Sequence, residues 1–313
     1  MNFLPAFYFP TTLICVDDEQ LVLDGYKKLF ADKFNCKAYQ NPRVVQEYFS
    51  NYKSPLSQIN FLTTIPEFEH DKFNIQSVVQ LNIQNIIELA KSKTKYDEVS
   101  VLLADYYMPP EIDGLELCRT LVANPVKKML LTGDQTYDTV RLAFNSGTID
   151  YFANKTDSAI QIKEAVCDLS MNFFCEFTAD FRKYLDTQSI SPLSDAIFIE
   201  HFTDIIKNKN ITEYYLIDKY GSYLLIAVDG KKYVLVVHNN QSLLEFVNIL
   251  TEYEELADKV KLIENRQCIP FFGIGESVSS MNLLNIGSYL FDAYVLNGRQ
   301  RYYLHLLEYN YEI

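Results

Sequence analysis

Five positions carry side chains that together suit phosphoryl chemistry: the acidic pair Asp17-Asp18, then Asp105, Thr132 and Lys155. Carboxylates are the hard oxygen donors that Mg²⁺ takes, usually one or two from the protein, with water and phosphate completing the octahedron. Asp18 and Asp105 read as direct ligands and Asp17 as an outer ligand acting through water. The backbone carbonyl of Tyr107, in the turn DYYMP, offers a further oxygen. A carboxylate can also be a nucleophile that becomes an acyl phosphate, and Asp105, alone at the end of a central strand, is the better candidate. Phosphoryl transfer asks mainly for positioning and charge neutralisation. Lys155 would pair with a phosphoryl oxygen, and Thr132 would donate a hydroxyl hydrogen bond.

Each of these residues taken singly has an ordinary reading as a solvated turn. Their force lies in order and placement, because each follows a short apolar run: TLICV (12–16), VSVLLA (99–104), KKMLL (127–131) and IDYFAN (149–154). Such runs read as buried strands, and their alternation with helical stretches implies a parallel α/β sheet. Residues just past the carboxyl ends of parallel strands gather in one crevice. The intervening pattern agrees. EQLVLDGYKKLF (19–30) has helical spacing, CKAY (36–39) reads as a second strand, and Asn41-Pro42 predicts an N-cap and first helical position.

Residues 51–96 are more than a β-α-β unit requires and read as an insertion. Residues 75–90 have apolar positions at helical spacing and predict one amphipathic helix, giving a helical lobe on the first domain. A surface lobe packed on the core is the plainer reading of this segment, and a partner-binding or dimer-forming lobe the sharper one. A further helical pattern spans 157–186, long enough to leave the domain as a connector, and another covers 195–207. The period then changes. EYYLID (213–218), SYLLIAV (222–228) and KYVLVVH (232–238) read as strands, residues 241–263 as helical. Asp229-Gly230 and Asn297-Gly298 predict two hairpins, the first with both central residues at positive φ. The expected organisation is residues 1–170 as an α/β domain with the insertion at about 51–96, a helical connector over 171–190, and an α+β domain over 191–313.

The 313 residues carry a net charge of −13 and are 48% hydrophobic. Both halves are acidic, which argues against a nucleic-acid surface and makes DNA an unexpected partner. No apolar run approaches the roughly 18 residues of a membrane span, and the apolar start, broken by Pro5 and Pro10, does not read as a signal peptide. A cytoplasmic protein is expected. Cys15, Cys36, Cys118, Cys167, Cys175 and Cys268 form no CxxC pair, so buried free thiols are the reading rather than a zinc site or a disulfide framework.

The segments ICVDDE, LLADYYMP…DGLELCR, LLTGD and GTIDYFANK resemble the motifs of two-component response regulator receiver domains, over about residues 1–165. The resemblance implies a flavodoxin-like (βα)5 fold, with Asp105 as the phosphoacceptor served by a sensor histidine kinase. It further implies Asp17 and Asp18 as the Mg²⁺ pair, Thr132 as the switch hydroxyl, Lys155 as the phosphate-pairing lysine and Phe152 as the aromatic switch. Homodimerisation on phosphorylation is expected with it. The sequence departs from the family at Thr156, where a Pro is usual, in a stretch from Gly147 to Lys155 that looks one residue long, and in the acidic Asp134 beside the site. The insertion, KKMLLTGD with AFNSGTID, and EYYLIDKYGSYLLI are similar to an atypical subgroup of response regulators that works in quorum sensing.

The second half carries no cyclic-dinucleotide pattern and no helix-turn-helix, and no enzymatic activity is expected of it. His70-Asp71 has the form of a phosphohydrolase dyad but lacks companion ligands, and GIGESVSS (273–280) is a Gly/Ser loop without a following Lys. His201, His238 and His305 read as structural. Two alternatives stand beside a phosphorylation-switched regulator: an effector whose α+β domain binds a nucleotide or small molecule, and a scaffold that works unphosphorylated. Intact Asp17, Asp18, Asp105, Thr132 and Lys155 weigh against the scaffold. A thermal-shift screen of nucleotides separates the effector from the simple switch.

Overall fold

Thr12–Val16, Val99–Asp105 and Lys127–Thr132 are buried at every position in the computed structural model, as strands covered on both faces must be. The structure describes residues 3–68, 75–109, 112–133, 137–184, 191–253, 256–276 and 283–311. In chain order the strands are β1 (Phe7–Tyr8), β2 (Thr12–Val16), β3 (Asn35–Tyr39), β4 (Leu62–Phe68), β5 (Ile75–Leu81), β6 (Val99–Asp105), β7 (Lys127–Thr132) and β8 (Tyr151–Asn154). They continue as β9 (Ile211–Leu216), β10 (Tyr223–Ala227), β11 (Lys232–His238), β12 (Cys268–Pro270), β13 (Leu290–Asp292), β14 (Tyr294–Asn297) and β15 (Arg301–Glu308). The helices are α1 (Gln20–Phe30), α2 (Pro42–Asn51), α3 (Ile83–Lys91), α4 (Gly114–Thr120), α5 (Tyr137–Asn145), α6 (Ala159–Phe177), α7 (Ala196–Asn208), α8 (Asn240–Leu250) and α9 (Ala257–Glu264).

The chain divides into an α/β unit, Phe9–Ile59 with Lys93–Phe177, and an α+β unit, Met1–Tyr8 with Asn60–Ser92 and Thr178–Ile313. In the α/β unit five parallel strands lie in the order β3-β2-β6-β7-β8. The chain order reverses between β2 and β6, which makes their carboxyl ends the switch point where α/β sheets bind ligands. One core, around Ile14, Leu102, Leu115 and Val140, fills one face of the sheet; the other, around Leu13, Leu103, Leu23 and Val166, fills the opposite face. Asn41 caps α2 by accepting from the Arg43 amide at 2.8 Å, with Pro42 at the first helical position as expected.

The α+β unit holds a six-stranded antiparallel sheet in the order β1-β9-β10-β11-β15-β14. Its first strand comes from the chain start, which the sequence reading placed in the other domain. Phe7, Phe61 and Phe181 join three distant pieces of chain into one aromatic cluster, with ring centroids 5.3–6.3 Å apart. The insertion thus groups with the α+β unit over Asn60–Ser92, and the expected boundaries of residues 1–170 and 191–313 are corrected accordingly.

The helix expected over 75–90 is also corrected. Ile75–Leu81 is a strand paired antiparallel with β4, from Leu62↔Leu81 to Phe68↔Ile75, and α3 begins only at Ile83. The reason is Asn82. Its amide donates to Phe61 O at 2.7 Å and its Oδ1 accepts from the Asn85 amide at 3.1 Å, so it caps the helix instead of lying on its face. The expected connector is divided as well. Phe173 and Phe174 in the last turns of α6 are buried, with Phe174 edge-on to Phe9 at 4.9 Å inside the α/β unit. Ala179–Tyr184 forms a 3₁₀ turn in the α+β unit, and residues 185–190 lie outside the described residues.

Both expected hairpins form, by means other than a two-residue turn. Between β10 and β11 only Gly230 has positive φ, 82°. Ala227 donates to Lys231 O and Gly230 to Ala227 O, which is a three-residue loop ending in a left-handed glycine. Between β14 and β15, Gly298 is required for space: a Cβ there would land on the Asp195 carboxylate. Asp195 is buried, caps α7 and accepts from the Arg299 amide (2.6 Å) and the Tyr302 hydroxyl (3.0 Å).

Candidate functional site

Burial governs the site at the carboxyl ends of β2, β6 and β7. Asp17 follows the last residue of β2 and is fully buried; Asp105 ends β6 and is 4% exposed; Asp18 is exposed. Oxygens of the three carboxylates lie within 4.8 Å of one another. Lys155, just past β8, reaches into them. Its Nζ is 2.9 Å from Asp105 Oδ2 and 3.4 Å from Asp17 Oδ2. The second Asp17 oxygen accepts from the Glu19 amide at 2.9 Å at the entry to α1.

The electrostatics follow from this crowding. Burial raises the Asp105 carboxyl above its ordinary value and Asp17 adds to the rise, while Lys155 and the Tyr107 amide only partly oppose it. For Lys155 burial would lower the ammonium, but Asp105 and then Asp17 outweigh it and hold it above the ordinary lysine value. Three carboxylates facing one ammonium suit a divalent cation. The set is all oxygen, and its exposed member Asp18 leaves the mouth open to water. Asp17, Asp18 and Asp105 therefore fit Mg²⁺.

Asp17, Asp18, Asp105 and Lys155 are thus brought together. Thr132 ends β7, is buried, and donates its hydroxyl to Gly133 O at 3.0 Å. The Tyr107 amide donates to the Asp105 carboxyl, and its ring is 68% exposed. Phe152 on β8 is half-buried and packs edge-on against Phe144, 5.9 Å between centroids; Phe144 is itself 44% exposed. Asp134 and His70-Asp71 lie outside the described residues, as does 277–280 of the Gly/Ser loop. His238 is a buried core histidine between Ser242 Oγ (3.1 Å) and Pro270 O (2.9 Å).

The loop after Lys155, where the resemblance noted in the sequence would have implied Pro at position 156, is held by an Asx turn. Asn154 Oδ1 accepts from the Thr156 amide (2.9 Å) and hydroxyl (2.8 Å), and Asp157 Oδ2 accepts from the Asn154 amide (3.0 Å). Sequence reasoning missed two further contributors. Gly114 opens α4 directly under Asp105, where a Cβ would overlap the Asp105 carbonyl oxygen; the Asp113-Gly114 pair was the signal available for it. Tyr26 on α1 stands in the field of the carboxylates, its phenol pushed up by burial and then by Asp17, Cys15 and Asp105. Only helical spacing marked that position.

No protein-family model matches the chain, and no curated protein does. Among solved structures, the Legionella pneumophila response regulator LqsR superposes with a TM-score of 0.77 at 23% identity, covering 100% of this chain and 92% of that one. A CheY-like receiver domain protein from Methanospirillum hungatei covers 53% of this chain and 98% of that chain at 13% identity, with a TM-score of 0.36. The receiver domain of a putative LuxO repressor protein from Vibrio parahaemolyticus covers 55% and 98%, also at 13% identity and 0.36. The chain shares the fold of that Legionella response regulator: an α/β unit built on a five-stranded parallel sheet together with a further α+β unit.

Proposed function

We propose that this chain is a response regulator switched by phosphorylation of Asp105, with phosphate supplied by a sensor histidine kinase. The observation that carries the reading is the Lys155 ammonium at 2.9 Å from Asp105 Oδ2, beside the carboxylates of Asp17 and Asp18. Asp17, Asp18, Asp105 and the Tyr107 carbonyl would hold Mg²⁺, which when bound neutralises phosphoryl oxygens. An Asp105 oxygen attacks the phosphorus of the donor, forming the O–P bond as the donor's P–N bond breaks and its electron pair returns to the imidazole. Lys155 exchanges its Asp105 partner for a phosphoryl oxygen. Thr132 turns its hydroxyl from Gly133 O to another phosphoryl oxygen, and Phe152 moves inward from Phe144 into the space vacated. Local charge thereby biases a two-state element.

The surface altered is the face of α5 and β8, which presents Phe144 and Tyr151, and its remodelling favours a homodimer. The fold shared with LqsR supports a signalling role, and the subgroup motifs support quorum sensing as its setting. The cytoplasm is the proposed location; among the described residues no helix is long and apolar enough to cross a membrane. Sedimentation of the full chain with Mg²⁺ and beryllofluoride, a stable mimic of aspartyl phosphate, tests the switch. A shift toward the dimer that is lost in Asp105→Asn is the expected result. An unchanged sedimentation coefficient would contradict dimerisation as the output.

A further inference from the structure

Two thiols meet directly beside the acidic cluster. Cys15 on β2 and Cys36 on β3 lie on neighbouring parallel strands, and their Sγ atoms are 3.5 Å apart. They are diagonal in the register, where Cys36 faces Leu13 and Cys15 faces Ala38. The two differ in access. Cys15 is fully buried, whereas Cys36 is half-buried on β3, the edge strand of the sheet. Residues two apart on a strand share a face, so Cys15 and Asp17 point to the same side of β2.

We propose that Cys15 and Cys36 are a peroxide-oxidisable pair, whose disulfide draws β2 toward β3 and thereby slows phosphorylation of Asp105. Cys36 is the attacking thiol because solvent reaches it. The hydrogen bond with Cys15 outweighs burial and, with the nearby Lys27, holds the Cys36 thiol below its ordinary value, a setting that favours oxidation. Its sulfur attacks a hydroperoxide: an S–O bond forms, the O–O bond breaks, and the leaving oxygen departs as water or alcohol with the thiol proton. The Cys15 sulfur then attacks the sulfenic sulfur of Cys36. The S–S bond forms, the S–O bond breaks, and water carries off the Cys15 proton. In sum two thiols and one hydroperoxide give one disulfide, water and the reduced peroxide. Closing the pair requires the sulfurs to move from 3.5 Å to a bond length of about 2 Å. Among the described residues β3 pairs with a strand on one side only, so it can supply part of that movement. The rest falls on β2, two residues from Asp17.

The part concerning phosphorylation rests on the reading of Asp105 given above. The test treats the full chain with hydrogen peroxide, quenches free thiols, and maps peptides by mass. Expected is a peptide linking residues 15 and 36 and lighter by two hydrogens, restored by dithiothreitol and absent in Cys36→Ser and in Cys15→Ala. Mapping of the unsubstituted chain stands even where a variant folds poorly. Both thiols remaining free, or Cys36 passing to the sulfinic acid without a link, overturns the pair. Oxidised and reduced protein are then compared with acetyl phosphate and Mg²⁺. A several-fold slower phosphorylation of the oxidised form is expected, and equal rates overturn the coupling. Reduced protein that takes no phosphate counts against the Asp105 reading, and the peptide map then decides the disulfide by itself.

Discussion

At the scale of single residues the site is a contest between burial and charge. Asp105 has its folded carboxyl raised above the unfolded value, with Lys155 already included in the balance. A raised group contributes stability that is complete below the unfolded carboxylate value of about 3.9 and is lost as pH rises through the folded value. At neutral pH the ionised Asp105 is therefore a net cost. Asp105→Asn, neutral at every pH, should be more stable than the parent at pH 7 without Mg²⁺, and the gap should close on acidification; urea unfolding at both pH values checks this. Asp18 offers the complementary probe because it is exposed. Asp18→Asn should change stability by no more than about 0.5 kcal/mol while weakening Mg²⁺ binding, read as a smaller Mg²⁺-induced rise in Tm. For the parent that rise corresponds to about 2.7 kcal/mol at a hundredfold excess over Kd. Gly114 tests the support beneath the site. Gly114→Ala places a methyl on the Asp105 carbonyl, so a loss of about 1–3 kcal/mol and a weakened Mg²⁺ response should appear together in the same unfolding series.

At the scale of elements, what could be read in the sequence depended on how much burial each element carries. Strands β2, β6 and β7 were legible because each is buried throughout and carries a short apolar run, and their ends placed Asp17, Asp105 and Thr132 without further information. Strand β5 was misread because IQSVVQL followed by NIQNIIELA happens to keep helical spacing across Asn82. Only antiparallel pairing with β4, which the periodicity of 75–90 cannot reveal, selects the strand. Gly114 and Tyr26 were missed for a similar reason, since their roles arise from backbone and side chains brought near by the fold. The cap is itself testable. Asn82→Ala should cost about 1 kcal/mol in equilibrium unfolding, whereas a residue on the face of a continuous helix would tolerate the change. The Asx turn of Asn154 likewise fixes the approach of Lys155, so Asn154→Ala should slow phosphorylation by acetyl phosphate, with Asn154→Asp, which keeps the acceptor, retaining most of the rate.

At the scale of the whole molecule, the chain start and the insertion both enter the α+β unit, so three separate stretches of sequence build one sheet and its neighbours. Length and composition suggested two domains but could not reveal this threading, because hydrophobic periodicity is local and the assignment of a segment to a domain is not. The proposed switch is accordingly clearer than its output. The chemistry proposed for the α/β unit follows from five side chains in fixed order, while the α+β unit offers one buried histidine, His238, with capped helices and paired hairpins whose hydrogen bonds are structural. The central claim, that Asp105 accepts a phosphoryl group, is tested most directly by intact mass of the full chain after incubation with Mg²⁺ and acetyl phosphate. A gain of one phosphoryl group that disappears in Asp105→Asn is the result expected here. No gain, or a gain that persists in that variant, would contradict it.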